Sequence, residues 1–202
     1  MKYSLVVCLL CLLCLYGCQE THTDEVQNAI VSFLLGDVQV NGNTAQLNQE
    51  IQNGMDIVTG EKSRAEIKVG QSSGIQIREN SQVKLLLEHN EWKTEVKHGA
   101  VLNLLRPRSK YQLSGPAGVI AVRGTIFYVN CYEDGTQYVC TCNGTVDILV
   151  GDNMLQEVTS SHHEPYTLIP TAHGTVLNPS EMKEHNDAEI FEFMYRMERG
   201  TK

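Results

Sequence analysis

Short alternations of apolar and polar residues, broken every few positions by Gly, Asn or Asp, most constrain what this chain can fold into. From Ile30 onward the unit recurs as Asp37-Val38-Gln39-Val40, Ala65-Glu66-Ile67-Lys68-Val69, Gly74-Ile75-Gln76-Ile77-Arg78 and Val83-Lys84-Leu85. A period of two sends successive side chains to opposite faces of a strand, one buried and one wet. The punctuation at Asn41-Gly42-Asn43, Asn53-Gly54, Thr59-Gly60, His98-Gly99, Asp134-Gly135, Asn143-Gly144 and Gly151-Asp152 reads as turns, because these residues tolerate the backbone shapes tight turns demand. Turns this frequent leave no room for long helices. The expected class is all-β, with many short strands in a sandwich, barrel or β-solenoid. At 202 residues one core suffices without disulfides, since about 70% of the unfolded surface is buried at this size. Trp92 and Tyr111 are read as ordinary strand packing residues.

The C-terminus breaks the pattern. Asn186 can accept the first free amide protons of a helix, and Glu189 stands three residues later, close to a capping box. Ile190, Phe193, Met194 and Met197 then follow at helical spacing. The spacing predicts an amphipathic helix over 187–199 whose apolar stripe packs on the β-structure.

The N-terminus reads as an export signal. Met1 and Lys2 give a positive start, Leu5 to Tyr16 is continuously apolar, and Leu15-Tyr16-Gly17-Cys18 closes the run. Twelve helical residues span about 18 Å, short of the roughly 30 Å hydrocarbon core. The closing four residues resemble a bacterial lipobox, although Tyr16 departs from the usual small residue, and imply that Cys18 becomes the lipid-bearing N-terminus. Residues 1–17 are then a signal peptide, 18–30 a lipidated tether, 31–150 the main β-domain and 151–202 a C-terminal extension. The expected location is the bacterial cell envelope, anchored to the membrane by lipid and facing periplasm or cell surface. Charge excludes another class. With 16 Lys and Arg against 24 Asp and Glu and no basic stripe, the chain is not a nucleic-acid binder, which needs a basic surface for phosphates.

Several ordered motifs carry a family resemblance. Leu35-Gly36-Asp37-Val38-Gln39-Val40, Ile51 through Gly60 and Ser63-Arg64-Ala65-Glu66-Ile67 look like the start of a FecR-type periplasmic domain. Pro116-Ala117-Gly118-Val119-Ile120-Ala121-Val122-Arg123-Gly124-Thr125-Ile126-Phe127-Tyr128-Val129 resembles that family's most recognisable stretch, and Gly144-Thr145-Val146-Asp147-Ile148 comes next in family order. The resemblance implies an all-β exported domain used in sensing and protein contact, with no catalytic activity attached. Founding members span the membrane and pass a siderophore-receptor signal to a sigma factor. This chain lacks their cytoplasmic helical region and internal span, which puts sigma-factor control in question. In Arg123-Gly124-Thr125 the glycine permits a backbone shape closed to other residues, and the arginine's donors can satisfy carbonyls there. We read Arg123, Gly124, Thr125 and Phe127 as a structural motif.

Two chemical signals remain. Gly70-Gln71-Ser72-Ser73-Gly74 matches the G-x-S-x-G string of serine hydrolases, but a helix should come next and an alternating strand does. No catalytic residue is assigned. Beyond Cys18 the cysteines are Cys131, Cys140 and Cys142. Cys140 and Cys142 share one face of a strand. A two-residue turn at Asp134-Gly135 puts Cys131 on that face too, whereas a three-residue turn with a bulge sends it to the other. With His162, His163 and His185, these thiols offer ligands suited to zinc or iron. A disulfide from Cys131 to either partner, or free thiols, are the alternatives. No cofactor is otherwise expected. The expected function is that of a non-enzymatic lipoprotein acting in envelope sensing by binding a protein partner or an envelope polymer. The alternative is a metal-binding envelope protein using Cys140, Cys142 and His162 or His163.

Overall fold

The computed structural model describes residues 28–88, 91–106, 110–151 and 153–199, so Cys18 and the whole export signal lie outside the described residues. The described residues are mostly β, 62% strand, with one C-terminal helix. Its strands form two facing layers. The first layer runs in the order β4 (Glu50–Ile51), β1 (Ala29–Leu35), β6 (Arg64–Val69), β7 (Ser73–Ile77), the second half of β9 (Glu91–Leu104), β12 (Ile126–Cys131), the first half of β13 (Gln137–Val150), β15 (Glu164–Thr171) and β16 (Gly174–Pro179). The second runs β3 (Asn43–Thr44), β2 (Val38–Val40), β5 (Met55–Thr59), β8 (Ser81–Glu88), the first half of β9, β10 (Lys110–Ser114), β11 (Val119–Arg123), the second half of β13 and β14 (Asn153–Ser160).

Two 14-residue strands, β9 and β13, therefore belong to both layers. Each bends at a glycine with left-handed backbone, Gly99 at φ +88° and Gly144 at φ +109°, a shape that costs glycine little and other residues more. His98-Gly99 and Asn143-Gly144, read from sequence as turns, are in fact strand bends. Space demands glycine as well. A Cβ on Gly99 would lie 2.5 Å from Ser81 Cα, and one on Gly144 would lie 2.9 Å from Thr125 Oγ1. Because β9 and β13 cross between layers, the pairings β9–β12–β13–β11–β10–β9 close into a ring, a small mixed β-barrel with flanking strands. The β9–β10 pair is parallel and sets Tyr111 opposite Trp92, their ring centroids 4.4 Å apart.

The main core lies between the layers. It is filled by the expected alternate positions, among them Ile57, Ile67, Ile75, Val83, Leu113, Phe127, Val129, Val139 and Ile148. The first layer is also buried on its other side. There Ala100, Leu102, Tyr128, Tyr138, Cys140 and Cys142 form a second cluster with Ile190, Phe193 and Met197 of helix α1 (Asp187–Arg199). The helix occupies the predicted range and buries Ile190, Phe193 and Met197 of the predicted stripe, with Met194 partly buried. Asn186 Oδ1 accepts from Glu189 N at 3.1 Å, which is the expected cap. Gly74 on β7 gives the helix room, since a Cβ there would clash with Met197 Sδ. Two ion pairs fasten the helix further. Arg196 donates to Glu66, which is fully buried, at 2.6 to 3.1 Å, and Arg78 Nη2 donates to Glu189 Oε1 at 3.1 Å. No helix among the described residues is long and apolar enough to cross a membrane.

Candidate functional site

The β12–β13 hairpin decides which thiols meet. Cys131 pairs with Gln137, Tyr132 N donates to Thr136 O at 2.8 Å, and Gly135 sits at φ +84°. The connection is the three-residue turn with a bulge, not the two-residue turn. One residue of register reverses every side chain, so Cys131 points into the main core while Cys140 and Cys142 point into the cluster under α1. A disulfide from Cys131 to either partner is thereby ruled out, and Cys131 drops out of the candidate metal set. Burial pushes the Cys131 thiol up to about 12, which leaves it a small apolar side chain in effect.

Two further segments bring histidines to the pair. Strands β14 and β15 run beside β13 along its length as one interrupted strand, because Gly144 pairs with Ser160 and Thr141 with Glu164. The interruption, residues 161–163, lies beside the bend of β13. His163 stands in it at φ +49°, with its backbone N donating to Cys142 O at 3.3 Å. His185 arrives from the other direction, on the chain leading into α1. That chain is pinned across the first layer by Glu184, whose carboxylate accepts from Tyr128 Oη at 3.2 Å, Asn130 Nδ2 at 2.6 Å and Tyr132 Oη at 2.8 Å. The His185 ring then stacks on Tyr128, centroids 4.5 Å apart.

The result is a four-donor cluster. Cys140 Sγ lies 3.5 Å from His163 Nδ1, Cys142 Sγ lies 3.4 Å from His185 Nε2, and one ligand atom from each residue falls within 4.8 Å of all the others. The far side of each ring is fixed too. His163 Nε2 is 2.9 Å from Asp187 Oδ1, and His185 Nδ1 is 2.9 Å from Lys183 O. Carboxylates and carbonyls accept, so in the neutral rings the protons lie on those outer nitrogens and the lone pairs face the thiols. His162 is 71% exposed and also bonds Asp187, at 3.1 Å, so it stands outside the four-donor set. Sequence reasoning placed Asp187 only at a helix start and gave Lys183, Glu184 and Tyr128 no part here.

Electrostatically the two thiols of the cluster are driven apart. A hydrogen bond from Cys142, with His185 and His163 adding to it, draws the Cys140 thiol well below its ordinary range. Cys142 moves the other way, pushed up by its bond to Cys140 and by burial. Burial works against the imidazolium of His163, but its bonds to Asp187 and Cys140 outweigh that and raise its pKa. Two thiolates together require a cation.

Of the motif residues, Gly124, Thr125 and Phe127 take the following places in the frame, and the Arg123 side chain lies outside what the structure describes. Gly124 sits at φ +75° between β11 and β12. Thr125 is buried, and its Oγ1 donates to Thr145 O at 2.7 Å and accepts from Thr145 N at 3.3 Å, clamping β13 beside its bend. Phe127 is fully buried in the main core. Residues 55–147 match the family described as FecR protein. Over those residues the chain has a FecR domain. Such a domain is typically non-catalytic and is consistent with signalling or regulation. The fold agrees: crystal structures at 2.50 Å and 1.65 Å of a putative anti-sigma factor from Parabacteroides distasonis ATCC 8503 each align with TM-score 0.52 and 13% identity, over 62% of this chain and 60% of that one. The chain thus spans less than two thirds of that protein's length. A comparison with curated proteins finds no match.

Within the FecR domain, Ser72 lies in the β6–β7 hairpin turn, and β7 stands where a nucleophile elbow needs a helix. Ser73 is buried, with Oγ accepting from Arg106 N at 3.1 Å. Of the four clustered donors, Cys140 and Cys142 lie within residues 55–147, whereas His163 and His185 lie beyond them. The cluster therefore joins the FecR domain to the segment on its C-terminal side.

Proposed function

We propose that this is a non-enzymatic, exported lipoprotein, anchored through Cys18 at the cell envelope, whose FecR domain serves sensing or regulation by binding a protein partner. The match of residues 55–147 to FecR protein carries the reading. The description of the Parabacteroides protein as an anti-sigma factor supports a regulatory rather than a metabolic role. Export is supported by the positive start, apolar run and Leu15-Tyr16-Gly17-Cys18. A protein partner is favoured over a polymer by two large side chains on the outer face of α1, Phe191 at 67% and Tyr195 at 54% exposure, since aromatic anchors are what protein interfaces concentrate. The negative chain, at a formal charge of -8, suits neither a phosphate polymer nor nucleic acid.

Two measurements test this. Intact mass of membrane-extracted protein is expected to show an acylated Cys18 as the N-terminus; an unmodified, freely soluble chain refutes the anchor. A photo-crosslinking residue at Phe191 in living cells is expected to give a discrete protein adduct. Adducts to glycan alone, or none from either Phe191 or Tyr195, would refute the protein partner.

A further inference from the structure

We propose that Cys140 Sγ, Cys142 Sγ, His163 Nδ1 and His185 Nε2 form a closed, four-coordinate zinc site that clasps the C-terminal segment onto the FecR domain. The inference stands apart from partner binding and rests on four independent features of the cluster. The first is distance. In a tetrahedron with Zn–S of about 2.3 Å and Zn–N of about 2.0–2.1 Å, a sulfur and a nitrogen stand about 3.6 Å apart. The two sulfur–nitrogen approaches are 3.5 Å and 3.4 Å. The second is orientation. Each histidine donates its outer N–H to an oxygen, His163 to Asp187 and His185 to Lys183 O, which is how ligating histidines are commonly held.

Burial is the third feature. Cys140 is fully buried, Cys142 and His185 are 5% exposed, and the His163 side chain is 5% exposed. No side is left open for water or substrate, as befits a structural rather than a catalytic site. The fourth is backbone. His163 and Glu184, the latter next to His185, both hold left-handed backbone at φ +49° and φ +67°, a shape that residues with a side chain rarely adopt. Metal coordination offsets such strain. Softness and number select the ion: two thiolates and two imidazoles in tetrahedral array suit zinc, and a divalent ion neutralises both thiolates. Donors this close together surround one ion and leave no space for a two-iron cluster.

The ligands come from three places in the chain: β13, the β14–β15 interruption and the approach to α1. An ion bound there ties β13 to its edge partner and fixes His185 two residues before Asp187 opens the helix. Asp187 joins the two, as a hydrogen-bond partner of His163 and the first residue of α1. Zinc loading is therefore coupled to helix docking.

The test uses the full chain purified without a polyhistidine tag. Elemental analysis is expected to give one zinc per chain, and replacement by cobalt(II) to give the visible absorption of a tetrahedral thiolate site. Cys142→Ser and His185→Ala are each expected to lose the stoichiometric ion, Cys131→Ser and His162→Ala to keep it, and Asp187→Asn to weaken it by about 10–100-fold. Should a ligand variant misfold, thiol alkylation of the wild-type chain decides: zinc is expected to protect Cys140 and Cys142, and a chelator to unmask them. Hydrogen exchange across 187–199 is expected to quicken on chelation. Metal-free protein that takes up no zinc, iron in place of zinc, a Cys140–Cys142 disulfide in freshly isolated protein, or full zinc retention in both ligand variants would each overturn the assignment.

Discussion

Replacing Phe193 by Ala tests how α1 is held. Phe193 is 1% exposed and inserts among Ala100, Leu102, Tyr128, Tyr138 and Cys140, so truncation removes a ring and leaves a cavity against a β-sheet that cannot collapse onto it. Such changes cost roughly 3–5 kcal/mol. A 13-residue helix is marginal by itself in water, so this cost falls on docking and helix formation together. At about 1.4 kcal/mol per factor of ten, the undocked population rises roughly 100- to 4,000-fold. Hydrogen exchange read by mass spectrometry on 187–199, in chelator-treated protein so that metal makes no contribution, is expected to accelerate by that factor or to reach the unprotected limit. Strands β7 and β12 keep their protection, because their inward residues belong to the other core. Phe191→Ala is the control. At 67% exposure it is expected to shift docking by no more than about 0.5 kcal/mol. If Phe193→Ala leaves helix exchange unchanged, or Phe191→Ala speeds it equally, the helix is not held by its apolar stripe.

Two further perturbations probe the frame. Gly99→Ala places a side chain on left-handed backbone, at about 1–3 kcal/mol, with its Cβ 2.5 Å from Ser81 Cα, at about 1–3 kcal/mol more; a melting temperature equal to wild type would show that the bend of β9 does not need glycine. Arg196→Ala strips the main partner from Glu66, which is fully buried, and denaturant unfolding is expected to register a loss near the lower end of about 3–5 kcal/mol, because Arg196 is 22% exposed and Gln76 Nε2 still donates to Glu66 at 3.1 Å. Adding Glu66→Gln to that variant is expected to recover part of the loss, and strict additivity would mean the pair is not coupled.

Much of the fold was legible because period two and turn chemistry are local. The alternation in β6 and β12 names inward residues directly, Ile67, Phe127 and Val129 among them. What alternation could not say is that the opposite face is buried as well. Glu66 and Gln76 look like solvent-facing strand residues and are 0% and 2% exposed, because α1 returns from more than a hundred residues away to cover them. The two sheet-crossing strands were hidden for a related reason. Glycine with positive φ is the same signal in a turn and in a bend, and only the pairing of distant strands tells which one His98-Gly99 or Asn143-Gly144 makes.

The Cys and His cluster was legible in its parts and not in its assembly. Cys140 and Cys142 were fixed on one face by their spacing alone, and which thiols they join hinged on a single residue of hairpin length, settled by Gly135 in left-handed backbone. His163 and His185 reach them through non-local placement, one by the interruption of an edge strand and the other by the anchoring of Glu184 on three side chains of β12 and its turn. The consequence lies in what those segments cover. Leu102, Tyr128 and Tyr138 form an apolar face on the first layer that has no cover, among the described residues, except α1 and the chain leading into it. Whatever releases His185 and His163 from the thiols loosens that cover at its N-terminal end, while Phe193, Met197 and the Arg196–Glu66 pair still hold the other. Undocking then begins at Asp187 and proceeds toward Arg199, so a partner engaged at Phe191 and Tyr195 would meet a helix whose attachment to the FecR domain depends on the state of four side chains beneath its first turn.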